Sequence, residues 1–339
     1  MLLLKLMKAI LKNIDKFNNI KLAKGIYLDN VATTSRNGDC GVSTCSFGEN
    51  WYILPKGKAL FKSFDGKFAR IIRKNRIINE LLCNELCDQV GILHATMEPA
   101  TIKKITGLVS YNVVKSHEKL LTGYSLCKMI QNTYVQNNLE NYGYTFDELI
   151  DRGYNIDKKT IIQDMFKICI FDLLTLQTDR HMYNTFFIKN RKTKQLTLAP
   201  LLDNEFAFAG KLLQEILEEK NFDIDFEQEL NYLYINDFHW IISEASSTRI
   251  KLKDIVGQYV KLCKCDKNFG CILKDMIKNF DIKTAVNNVM QKGYKISQEY
   301  CMYLYAVTDY IKNMILSEYR NIKTTDKKKT KLENYEMLY

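Results

Sequence analysis

The stretch LQTDRHMYNTFFI, residues 176–188, sets three polar side chains at fixed spacing, Asp179-x-His181-x-x-Asn184, directly ahead of an apolar run. Upstream, Ile162, Met165, Phe166, Cys169, Leu173 and Leu176 form a stripe at helical spacing, and downstream Thr185–Ile188 reads as a strand. The polar group therefore occupies a helix-to-strand loop. A second strand, Leu196–Leu201, returns the chain through LAPLLDNEF and places Asp203 at its end, beside a neighbour that begins at Asn184. Asp, His and Asn also fill ordinary tight turns, because they hydrogen-bond nearby backbone. The strand, turn and strand leading to Asp203 set this group apart from such a turn.

That arrangement suits magnesium-dependent phosphoryl transfer. Mg²⁺ prefers hard oxygen ligands, takes few from protein, and leaves positions for substrate phosphates. Asn184 and Asp203 supply one amide oxygen and one carboxylate as metal ligands, while Asp179 is the separate carboxylate that orients an incoming hydroxyl and accepts its proton. Such a site also needs a strand lysine on the nucleotide phosphates and a helix glutamate to hold it. KALFKSF offers Lys62 on an otherwise apolar strand, although a lysine there also serves to protect a sheet edge. NELLCNELC offers Glu80, next to the apolar stripe of its helix, and Glu85, farther round as the exposed alternative.

The rest of the chain frames these residues. With 339 residues, 46% of them hydrophobic, it exceeds a typical single-core domain and predicts two lobes or two domains. Trp51–Leu54 and Ala59–Phe64 read as a hairpin across PKGK. A helix follows, with Ile78, Leu81, Leu82, Leu86 and Val90 as its stripe and Gly91 as its cap. His94–Ile102 and Leu108–Val114 are two more strands, separated by KKITG. Beyond SHEKLLTGYSL the pattern is helical almost throughout, ending in a long helix marked by Tyr300, Leu304, Val307, Ile311 and Met314.

Charge and cysteine usage narrow the setting. The net charge of +10 permits an acidic partner without demanding one, because the lysines are spread along the chain. Of the ten cysteines, Cys83, Cys87, Cys127, Cys169 and Cys301 sit in helical apolar patterns and read as reduced thiols of a cytoplasmic protein. The cluster Cys263, Cys265, Cys271 lacks zinc-ligand spacing and reads as core packing. MLLLKLMKAILKNIDKF is interrupted by Lys5, Lys8 and Lys12, which favours an amphipathic helix over a signal peptide, and no stretch approaches the ~20 apolar residues of a membrane span.

TDRHMYNTFFI, LAPLLDNEFAF, NELLCNELCDQVGI and GLVSYNVVKSHEKLLTGYSL, four motifs that stand along the chain in the family's order, together resemble the HipA-like Ser/Thr protein kinases, including the CtkA-type branch. That family is related to protein kinases and to phosphatidylinositol 3/4-kinases. The resemblance runs from about Gly41 to Gly210. It implies an α+β, bilobal protein-kinase-like fold, with a β-rich N-lobe carrying one helix and a larger α-helical C-lobe. The corresponding division is 1–25 as an amphipathic extension, 26–115 as the nucleotide-binding lobe, 116–323 as the catalytic lobe and 324–339 as a charged tail. ATP and Mg²⁺ are the implied cofactors, bound in the interlobe cleft.

By position, the resemblance makes Asp179 the catalytic aspartate, Asn184 and Asp203 the magnesium ligands, Lys62 the phosphate-binding lysine and Glu80 its helix partner. Leu108–Asn112, with Ser110 between, matches the hinge whose backbone hydrogen-bonds adenine, and His181 is a brace of the cofactor-side loop. Gly38 and Gly41 are the candidates for the phosphate loop, with Thr33, Thr34, Ser35, Ser43 and Thr44 nearby as sites of self-modification. The sequence departs from related kinases at Asn204 and Glu205, where glycine is common after the metal-binding aspartate. The implied activity is a serine/threonine kinase acting on a protein, with an antitoxin-like protein partner in some members and nucleic acid contacted only indirectly. Two alternatives stand beside it. One is a lipid kinase, disfavoured by the apolar and acidic NEFAFAGKLLQEILEEK. The other is a non-catalytic nucleotide- or nucleic-acid-binding adaptor, which has no physical need for Lys62, Asp179, Asn184 and Asp203 together.

Overall fold

A computed structural model describes residues 14–17, 19–23, 25–29, 33–34, 51–62, 73–102, 104–131, 139–210, 212–213, 232–234 and 249–321. Gly38, Gly41, Ser35, Ser43, Thr44, most of the N-terminal amphipathic stretch and the tail 324–339 lie outside the described residues. The chain divides into two compact units. The first gathers the described residues of Met1–Val114, Pro200–Phe226 and Asp281–Thr308, and the second those of Lys115–Ala199, Glu227–Phe280 and Asp309–Tyr339.

The first unit contains a short helix α1 (Ile14–Phe17) and a six-stranded sheet. Its strands are β1 (Ile26–Tyr27), β2 (Thr33–Thr34), β3 (Trp51–Leu54), β4 (Gly57–Lys62), β5 (Met97–Ile102) and β6 (Ile105–Tyr111), in the order β1-β5-β6-β4-β3-β2. The expected hairpin forms between β3 and β4, and Gly57 at φ +127° makes the reversal that a side chain would strain. The turn between β5 and β6 is tighter than KKITG suggested, because Ile105 already pairs with Ile102. Alternation along the strands buries Tyr52, Leu54, Ala59, Phe61, Ala100 and Val109 in one apolar cluster with Leu28 and Tyr111.

Helix α2 (Arg73–Val90) belongs to this unit and ends at Gly91, whose φ of +69° fits a left-handed cap. Its buried face carries Ile77, Ile78, Leu82, Cys83 and Leu86, but also Asn75, Asn79, Glu80 and Asn84. Buried polar side chains call for partners, and those of Asn79 and Glu80 are described below. Helix α8 (Ile282–Gln291), capped by Asp281 on Lys283 and Thr284 N–H groups, packs on α2, where Glu85 binds Lys292 and Asn288.

In the second unit, β7 (Glu118–Thr122), β8 (Asn155–Ile156), β9 (Phe186–Asn190) and β10 (Gln195–Leu198) form a sheet in the order β7-β9-β10-β8. Helix α3 (Gly123–Met129) follows β7 directly, capped by Thr122 Oγ1 on the Ser125 N–H. Helices α4 (Leu139–Asp151) and α5 (Lys158–Leu174) pack on each other, and α6 (Leu252–Cys265) and α7 (Lys267–Asn279) form a second pair. α5 is buried around most of its circumference from Ile161 to Leu174 apart from Gln163, Asp164 and Lys167, the pattern of a central helix. A two-stranded ribbon, β11 (Tyr232–Tyr234) with β12 (Arg249–Lys251), completes the described strands. Helix α9 (Gln298–Asn321) contributes residues through Thr308 to the first unit and the remainder to the second.

The eight described cysteines are free thiols, and Cys83, Cys87, Cys127 and Cys169 are buried. In the 263–271 cluster only Cys263 joins the core, since Cys265 ends α6 and Cys271 lies on the solvent side of α7. Among the described residues, no helix is long and apolar enough to cross a membrane.

Candidate active site

In the first unit, β4 ends at Lys62, whose Nζ donates to Glu80 Oε1 at 2.9 Å and to Asp203 Oδ1 at 3.2 Å. Lys62 sits at the strand end because the alternation that buries Ala59 and Phe61 on one face turns Leu60 and Lys62 to the other. Glu80 is fully buried on α2, and its second oxygen accepts the Asn204 backbone N–H at 2.9 Å. Burial alone would lower the Lys62 pKa, but the charges of Asp203 and Glu80, with Glu205 beyond, outweigh it and hold the ammonium well above its ordinary range. Lys62 is thus a fixed cation at neutral pH. The alternative helix carboxylate, Glu85, is spoken for by Lys292 and Asn288.

Asp203 adopts φ +64°, in the left-handed region that a residue with a Cβ enters only when its surroundings impose it. The surroundings are visible in the next seven residues. Asn79 Nδ2 donates to the carbonyls of Glu205 at 3.1 Å and Ala207 at 2.9 Å, and Asn79 Oδ1 accepts from the Tyr300 hydroxyl. The Tyr303 hydroxyl donates to the Phe208 carbonyl, and the Arg76 guanidinium lies 4.2 Å from the Phe206 ring centroid while pairing with Glu205 at 3.5 Å. Where a glycine would leave the chain loose, Asn204 and Glu205 are tied to α2. Burial, then the Asp203 charge, pushes the Glu205 carboxyl up to about 8, against the opposing pull of Lys62 and Arg76.

In the second unit, the loop after α5 is built on a buried ion pair. Arg180 Nε donates to Asp172 Oδ2 at 3.1 Å and its Nη2 to Oδ1 at 3.2 Å, a two-pronged contact with Asp172 fully buried and Arg180 only 2% exposed. Arg180 Nη1 also reaches the Asn184 carbonyl at 3.4 Å. Between these anchors, Asn184 Nδ2 donates to the Asp179 carbonyl at 3.0 Å and to Asp179 Oδ2 at 3.2 Å. Both bonds use Nδ2, which keeps the amide oxygen, the atom able to ligate a hard cation, out of those bonds. The Asp179 N–H donates to Gln177 Oε1 at 3.2 Å. His181 contributes through its backbone, donating to the Asp179 carbonyl at 3.0 Å and accepting the Asn184 N–H at 2.8 Å, while its ring meets Tyr183 edge-on.

The structure therefore brings Lys62, Glu80 and Asp203 together in one unit, and Asp179, His181 and Asn184 together in the other. The expected hinge stretch lies largely within the sheet of the first unit. Leu108 pairs with both Lys62 and Pro99, and Ser110 with both Leu60 and Met97, so β6 is flanked on each edge and the backbone of 108–111 is engaged by its own sheet. Only Asn112, exposed where the chain leaves the sheet, stands past the paired strand, its N–H donating to the Lys58 carbonyl at 2.9 Å. Sequence reasoning missed Asp172 and Arg180, though one signal was present: Asp172 is the single acid in KICIFDLL, a run that needs a buried counter-charge. It also missed Asn79, whose partner Tyr300 lies 221 residues away. Among the described residues no three His, Cys, Asp or Glu side chains form a metal-binding group. Asp203 in the first unit offers a carboxylate and Asn184 in the second an amide oxygen, each a donor type that Mg²⁺ takes from protein.

A mixed α/β chain carrying these elements has a kinase-like fold. Among solved structures it is similar to the Helicobacter pylori proinflammatory kinase CtkA, with a TM-score of 0.63 at 15% identity over 87% of this chain and 96% of that one. Another similar structure is HipA from Shewanella oneidensis MR-1, in complex with HipB and operator DNA, with a TM-score of 0.43 at 12% identity over 73% of this chain and 58% of that one. No protein-family model and no curated protein matches the sequence. That similarity agrees with the kinase-like fold of mixed α and β elements that the sequence resemblance implied.

Proposed function

We propose that the protein is an ATP- and Mg²⁺-dependent kinase that transfers the γ-phosphoryl group to a Ser or Thr hydroxyl of a protein. The observation that carries this reading is Lys62, held as a cation between Glu80 and Asp203. A lysine fixed by a buried helix carboxylate presents its charge to nucleotide phosphates without reorganising when they bind. Asp179 would orient the acceptor hydroxyl and take its proton, with Asn184 Nδ2 and Gln177 steadying it. Asn184 and Asp203 would hold Mg²⁺, which when bound neutralises charge on the phosphates. The rest is positioning: the Asp172–Arg180 pair fixes the loop that carries Asp179 and Asn184, and Asn79 fixes the segment that carries Asp203.

The test is transfer of labelled phosphate from ATP to the protein itself and to mixed protein acceptors, followed by phosphoamino-acid analysis. Label on Ser or Thr that requires Mg²⁺ and disappears in Asp179→Asn and Lys62→Ala supports the proposal. Transfer to phosphoinositide alone, or transfer that survives Asp179→Asn, overturns it.

A further inference from the structure

A cavity of about 530 Å³ opens in the second unit between β7, β9, α3 and α4. Among the described residues its walls include Lys119, Arg152, Lys189 and Arg191 and no Asp or Glu, although Arg152 pairs with Glu148 at 4.0 Å. Lys189 stands five residues along the chain from Asn184, which at about 3.3 Å per residue is roughly 16 Å of extended chain. Its lysines thus lie away from Asp179 and Asn184 along the strand, while Ser125 at its other side adjoins Tyr124, which touches the loop at Met182 and Tyr183; the reading does not rest on the kinase assignment.

The placement of the cations is unusual for a solvated surface. Lys119 on β7 and Lys189 on β9 are direct register partners, and like charges directly opposite one another across strands destabilise a sheet. Arg191 follows in the turn just past β9, two residues on from Lys189 and exposed. Lys189 Nζ meets only a neutral oxygen in its described contacts, the Tyr154 hydroxyl at 2.8 Å, and lies 4.8 Å from that ring's centroid. Arg152 is pinned across the opening, its Nη1 donating to the Met129 carbonyl at 2.7 Å. Leu121 and Leu149, both buried, supply an apolar wall beside this charge. Repulsion left standing between paired lysines is relieved by a bound anion of high charge, and an apolar wall selects one with a nonpolar body. The volume lies within the range of small-molecule sites.

We propose that this cavity is a binding site for a small phosphate monoester, its phosphate held by Lys119, Lys189 and Arg191 and its nonpolar part against Leu121 and Leu149. Phenyl phosphate is the probe, titrated calorimetrically into the full chain at low salt without Mg²⁺. The expected result is one saturable site, at least tenfold weaker in Lys119→Gln and in Lys189→Gln and unchanged in Lys62→Gln, with inorganic phosphate binding less tightly than phenyl phosphate. Without ligand, Lys119→Gln should melt at or above the parent temperature, because it removes a repulsion on an exposed strand position. No saturable binding, binding retained in both lysine variants, or binding lost in Lys62→Gln overturns the proposal, and so does a lower melting temperature for unliganded Lys119→Gln.

Discussion

Replacing Asp172 by leucine deprives the Arg180 guanidinium of a counter-charge that it touches at 3.1 and 3.2 Å in a site with almost no solvent exposure. Removing one member of a buried pair costs about 3–5 kcal/mol, because the remaining charge stays desolvated and uncompensated. Arg180→Met should cost a similar amount by stranding the Asp172 carboxylate. Asp172→Leu combined with Arg180→Met removes both charges and both desolvation penalties, so the double variant should lie within about 1 kcal/mol of the parent, far from the sum of the singles. Urea midpoints followed by circular dichroism measure the cycle. Activity should part company with stability in the double variant: without Arg180 Nη1 on the Asn184 carbonyl, the Asp179–Asn184 geometry loses a support, and phosphoryl transfer falls while the fold holds. Single variants within about 1 kcal/mol of the parent, or a double variant as damaged as the sum, would refute the reasoning.

Three further outcomes are expected. Glu205 titrates near 8 in the folded protein against an ordinary 4.5, so its stabilising contribution is full below 4.5 and is lost as pH rises to about 8. With chelator present, Glu205→Gln should therefore remove a pH-dependent loss on the order of 3 kcal/mol between pH 5 and 8, read from denaturation midpoints. Gly107→Ala would set a Cβ 2.1 Å from the Lys62 carbonyl oxygen, so β4 must shift, with about 1–3 kcal/mol of destabilisation and weaker ATP binding by calorimetry. Tyr300→Phe leaves the buried Asn79 Oδ1 without its hydroxyl donor, at a cost of about 1–3 kcal/mol, and should speed hydrogen exchange in 204–210, the segment Asn79 holds.

What could be read from the sequence was what local periodicity encodes. The α5 stripe, the β3–β4 hairpin and the β9–β10 return each depend on residues close in the chain, and their spacing announced them. Glu80 lies nearer the apolar stripe than Glu85, and it is Glu80 that meets Lys62. Features fixed by distant partners were not legible. β6 is flanked by β4 on one side and β5 on the other, so the backbone of Leu108–Tyr111 is used up in a way that an apolar run does not reveal. Pro200–Phe226 and Asp281–Thr308 join the first unit across long sequence separations, which no contiguous composition shift marks. The Lys119–Lys189 pairing depends on strand register, and register is set only when both strands are in place.

The central claim is that Lys62, Asp179, Asn184 and Asp203 support phosphoryl transfer from ATP, and ADP release by the purified chain in the presence of ATP and Mg²⁺, beside Asp179→Asn, tests it most directly. ADP should accumulate and phosphate should appear on the parent or on an added protein acceptor, both lost in the variant. A parent that binds ATP without producing ADP, or a variant that produces it at the parent's rate, would contradict it.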